Sequence, residues 1–153
     1  MELGILLPLH ILASVIWVGG MFFAIIALRP AATALDAGAQ IRLWQAALSR
    51  FFTWTWIAVV VLLATGFRLV VAFYGGMRGL ALHINLMMTI GLLMAVIFAF
   101  LFFVPYGRFR RAAGAGDDVA AAAALRTIRL LVTANLHLGV ITVIIGSSRG
   151  MLL

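Results

Sequence analysis

The chain has 153 residues, 66% of them hydrophobic and 10% charged, with no cysteine and a formal net charge of +7. Soluble domains carry about 25% charged residues, so this composition, with a mean hydropathy of +1.23, excludes an ordinary soluble enzyme and indicates an integral membrane protein. The arginines lie at the ends of apolar runs rather than along a wet face, which argues against nucleic acid and for topology and headgroup signals, and the missing cysteines exclude disulfides, thiolate metal sites and a cysteine nucleophile.

A spanning helix needs about 20 mostly apolar residues. The first such run covers residues 3–28. Ala32-Thr33-Ala34 loosely imitates a signal-peptide cleavage site, but the run is too long for a secretory signal, opens on Glu2 and is followed, not preceded, by Arg29. A retained helix is expected. The connection 29–50 carries Arg29, Arg42 and Arg50, and within it residues 36–48 are expected to form a short interfacial helix. The second span, 51–74, puts Trp54, Thr65 and Arg68 on one face and ends at Gly75-Gly76.

The third span covers 80–105. The connection 106–124 that follows carries Arg108, Arg110 and Arg111, breaks at 114–118 with Asp118 as the expected N-cap, and extends the fourth helix through an alanine run. The fourth span is 125–146. Arginine is concentrated in the two long connections, so these are expected in the cytoplasm with both termini outside. The predicted fold is a single all-α domain over residues 1–153, an antiparallel up-down-up-down bundle of four transmembrane helices in lipid. Gly19, Gly20, Gly66, Gly91, Gly139 and Gly146 lie in or at the ends of the spans, where small residues let backbones approach or make room for a flat cofactor.

The residues able to carry chemistry are few. An ionisable side chain within a membrane span is a functional candidate by default, because an imidazole without a partner there costs roughly 2–7 kcal/mol. All three histidines, His10, His83 and His137, lie inside or at the edge of spans. At about 100° per residue, His10, Ser14, Trp17 and Met21 share an arc of the first helix, and His83, Met87 and Met94 share one on the third. His10 and His83 are expected in the outer half and His137 near the midplane. The four acidic residues, Glu2, Asp36, Asp117 and Asp118, lie at the ends or in the connections, which argues against a calcium or magnesium cage and against paired-carboxylate catalysis.

Two occupants suit such a site. Imidazole and thioether together suit copper, with Met21, Met87 and Met94 as a Cu(I) relay. Met21 and Met94 lie about 16 Å deeper than the histidines of their helices, so they serve only as successive stations. The alternative is haem b held by two histidines, with Arg68 or Arg78 meeting a propionate. Ser14, Trp17 and Asn85 would line either site. Packing and interface roles compete for the methionines and tryptophans, and Asn135 or Thr133 would satisfy a structural His137.

Leu9-His10-Ile11 through Trp17-Val18-Gly19-Gly20-Met21-Phe22 to Leu28-Arg29-Pro30 resembles the first helix of the copper resistance protein D family. Arg50-Phe51-Phe52, Leu82-His83, Val104-Pro105 with Arg108-Phe109-Arg110-Arg111, and Asn135-Leu136 through Gly139 follow in the family's order. The resemblance implies a bacterial inner-membrane protein of copper uptake or tolerance working with a periplasmic copper-binding or redox partner. Its histidine positions map onto His10 and His83, and His137 belongs to no family pattern. More distantly the chain resembles HemJ-type protoporphyrinogen oxidases, four-span proteins that bind haem b. Asn85 departs from that family's lysine two residues after the third-helix histidine, and no Asn-Glu-x-Pro-like segment enters the last span. A non-enzymatic role is expected; an enzymatic one would be a haem-dependent membrane oxidoreductase. A homodimer would supply a wider path than four helices alone.

Overall fold

The computed structural model describes residues 2–76 and 79–148. Four long helices make up the molecule: α1 (Glu2–Ala32), α2 (Ala37–Tyr74), α3 (Leu82–Gly114) and α4 (Asp118–Ser147), with no strand among the described residues. All four are long and apolar enough to cross a membrane. At about 1.5 Å rise per residue, helices of 30 residues or more run about 45 Å or longer, against about 30 Å of hydrocarbon. The bundle therefore projects beyond the membrane.

The projection lies at the arginine-rich end, where the sequence predicts two long connections that hold a separate interfacial helix at 36–48 and an extension of the fourth helix through the alanine run; the extension is present as the start of α4. The connection expected over 29–50 shrinks to a turn at 33–36, and the expected separate interfacial helix at 36–48 is instead the first part of α2. Likewise 106–124 is helix on both sides of a turn at 115–117. Caps and stripes explain the difference. The Asp36 carboxylate accepts from the Ala39 backbone N–H at 2.8 Å, and Asp117, not Asp118, caps α4 by accepting from the Ala120 N–H at 2.9 Å. Ile41, Trp44 and Leu48 recur at helical spacing and bury against Phe109, Leu125 and Ile128, so the core continues past the membrane boundary. Gly116, at φ 71°, makes the turn that a side chain would strain.

Cross-helix contacts give the pairing direction. Along α1 and α2, Glu2 meets Arg68, His10 meets Thr65, and Gly20 meets Phe51. Along α3 and α4, Met87 meets Gly146 and Met94 meets Gly139. Both hairpins are antiparallel. An aromatic cluster joins them: Phe52 lies 4.3 Å from Tyr106, Trp56 5.0 Å from Phe98, and Trp17 5.9 Å from Phe98, ring centre to ring centre. Outward-facing Val96, Phe103 and Val143 suit lipid contact.

The two hairpins repeat one plan. A histidine is followed eleven residues later by a buried methionine (His10 and Met21, His83 and Met94), then by a proline and a capping aspartate. Each first helix widens into π-helical turns near its proline, Phe23–Leu28 before Pro30 and Phe102–Tyr106 around Pro105. Proline has no N–H to donate and crowds the carbonyl four residues back, and a wider turn accommodates both.

Candidate functional site

His10 is the candidate ligand whose ring is held by a neighbouring helix. Its half-buried ring packs on α2, with Cε1 only 3.1 Å from the position a Cβ on Gly66 would take, so glycine is what admits the imidazole. Nδ1 lies 2.9 Å from Thr65 Oγ1, and that hydroxyl spends its single hydrogen on the Val61 carbonyl at 2.6 Å. The ring must then donate from Nδ1. Its Nε2 is left with a free lone pair, the arrangement in which metal-binding histidines are held by a second hydrogen bond.

His83 is half-buried near the start of α3. Val18 of α1 and Met94 of α3 both meet the position of a Gly139 Cβ, at 2.9 and 3.1 Å, so the two helices share a level there, with His10 eight residues before it and His83 eleven. Both histidines therefore stand toward the Gly75 end of the bundle, His83 about one helical turn nearer to it. His137 points outward, its Nδ1 donating to the Thr133 carbonyl of its own helix at 2.7 Å. Asn135 has no part in that bond: it is buried, and its amide donates to the Met94 carbonyl at 3.2 Å.

The methionines are interior. Met21 and Met94 are buried, and Met94 and Met87 sit over Gly139 and Gly146, seven residues apart on both helices. The sequence singles out both the methionine stripe and these glycines, but as places for backbone approach or a flat cofactor; the structure seats methionine side chains there. Met87 Sδ lies 3.1 Å from where a Cβ on Gly146 would be, Met94 Cε 3.1 Å from one on Gly139. The remaining candidates have local partners. The Ser14 hydroxyl donates to the Ile11 carbonyl at 2.7 Å, and the Asn85 amide to the Leu80 carbonyl at 3.1 Å. Trp17 is buried with its indole N–H unpartnered.

Arg68 is exposed and bound to Glu2 at 2.6 Å. Arg78 lies outside the described residues. The face expected to unite Trp54, Thr65 and Arg68 is split, because Thr65 is buried while the other two are exposed. Among the described residues no group of three or more His, Asp or Glu side chains could hold a metal ion. The candidate donors that remain are imidazole and thioether, a donor set that suits Cu(I) better than harder ions.

Compared with known proteins, the chain matches the family model described as Copper resistance protein D over residues 45–148. The match takes in His83, Met87 and Met94 with their glycine seats; α1 with His10 precedes it. No curated protein and no solved structure matches.

Proposed function

The chain belongs to the copper resistance protein D family, and from that membership we propose that it takes Cu(I) at its outer face and holds it on histidine and methionine donors inside the bundle. His83 is the outermost station. His10, about one turn deeper by helical rise, is the principal ligand, offering Nε2 while Thr65 holds Nδ1. Met87, Met94 and Met21 are later soft-donor stations. In this reading the Gly75 end and both termini face the periplasm of a bacterial inner membrane, where a copper-binding protein supplies the ion.

The observation that carries this reading is the His10–Thr65 hydrogen bond, which leaves one imidazole nitrogen free in an otherwise apolar seam. Copper is cargo in this scheme. Low coordination by neutral donors lets the ion leave one station for the next, with no carboxylate to trap it. The family match lends the haem alternative no support.

The test is metal and pigment analysis of untagged protein purified in detergent after growth with copper. Copper near one equivalent or more, without a Soret band, agrees with the proposal. A Soret band with a sharp reduced α-band and no copper contradicts it.

A further inference from the structure

At the opposite end from the histidines, three arginines from two helices border one groove of about 310 Å³: Arg29 of α1, with Arg126 and Arg129 of α4, beside Leu130 and Thr133. Arg126 and Arg129 stand three residues apart, on one helix face. Among the described residues the only ion pair within 4.0 Å is Arg68 with Glu2, so none of these three guanidiniums is neutralised by a carboxylate. The Arg129 guanidinium carbon lies over the Trp44 ring, 4.9 Å from its centre, and its Nε is buried without a hydrogen-bond partner among the described residues. Asp118 lies on the other side of Arg126 and Arg129, in the neighbouring groove that Gln40 also lines.

Arg42, at the same end, is in a different situation. A Cβ on Gly38 would meet Arg42 Nη1 at 3.3 Å, Asp36 Oδ1 at 3.5 Å and Asp118 Oδ2 at 3.9 Å, so Arg42 shares its surroundings with two carboxylates. The groove is a local concentration of uncompensated positive charge, not one part of an evenly basic end. Its depth is informative too. Leu130, 70% exposed, follows Arg129 and begins the part of α4 that carries no arginine or carboxylate, the pattern expected where guanidiniums lie at headgroup level and the apolar run enters the acyl chains.

We propose that Arg29, Arg126 and Arg129 form a binding site for a phosphate group, and that its occupant is the phosphodiester of an anionic phospholipid. Guanidinium forks match phosphate oxygens in pairs, and a basic pocket between helices at the membrane boundary is where such headgroups are held. A bound lipid would bridge α1 and α4, the first and last helices.

Delipidated protein in neutral detergent is titrated with short-chain phosphatidylglycerol, short-chain phosphatidylcholine and inorganic phosphate, with occupancy read by native mass spectrometry. Phosphatidylglycerol is expected to bind in preference to phosphatidylcholine. Each arginine contributes about fivefold, so Arg126→Gln with Arg129→Gln weakens binding about 25-fold, and Arg29→Gln, on a different helix, about fivefold. Arg42→Gln leaves it unchanged. Equal binding of the two lipids, or equal loss in Arg42→Gln and Arg29→Gln, overturns the site. Displacement of phosphatidylglycerol by inorganic phosphate at similar concentration overturns the lipid as occupant.

Discussion

His10 Nδ1 donates to Thr65 Oγ1 across the α1–α2 seam at 2.9 Å, because the threonine hydroxyl gives its own hydrogen to the Val61 carbonyl, and the Leu62 carbonyl faces the same ring. Thr65→Val removes the acceptor but keeps the side-chain shape. Loss of such a supporting bond costs metal sites 10–100-fold in affinity, so Cu(I) binding by competition titration is expected to fall at least about tenfold. Thr65→Ser restores the hydroxyl and should restore most of the affinity.

Gly139 and Gly146 both seat methionines, yet their tolerance of a methyl group should differ. A Cβ on Gly139 would come 2.9 Å from Val18 Cγ2, whereas one on Gly146 meets the flexible end of Met87, Cε at 2.8 Å. Valine is stiff at χ1 and methionine is not. Gly139→Ala is therefore expected to destabilise by about 1–3 kcal/mol, and Gly146→Ala by less. Thermal unfolding in detergent measures both, and Val18→Ala should recover much of the Gly139→Ala loss.

The orientation can be tested directly, because the native chain has no cysteine. A single cysteine at Gly76 should react with a membrane-impermeant maleimide added to intact cells. One at Gly116 should react only after lysis. The reverse pattern would put the arginine-rich end outside, against the positive-inside rule, and would turn the proposed copper entry toward the cytoplasm.

Hydropathy made the four spans legible, because a membrane demands long apolar runs and this chain has little else. It fell short at the arginine-rich end, where 36–48 reads as a separate interfacial helix and 106–114 as connection rather than as extensions of the spans, although Ile41, Trp44 and Leu48 carry helical spacing. The apolar faces of those extensions find partners in Phe109, Leu125 and Ile128, which only the folded chain brings near. The site divides similarly. Periodicity put His10 on an inward arc of α1, but Thr65, its partner, is 55 residues away and no one-helix pattern points to it. His83 shares a helix face with Met87 and Met94, yet where that face stands relative to His10 depends on contacts between helices, such as Val18 and Met94 meeting at Gly139, which no one-helix pattern contains. His137 shares its helix face with Thr133, which binds it through the backbone carbonyl rather than the side chain.

The most direct test compares Cu(I) affinity in His10→Ala and His137→Ala, both purified without a tag and titrated against a chromogenic chelator. The account predicts at least about a tenfold loss for His10→Ala, the size expected when a principal ligand or its support is removed, and wild-type affinity for His137→Ala. Wild-type affinity in His10→Ala, or a loss confined to His137→Ala, would contradict it.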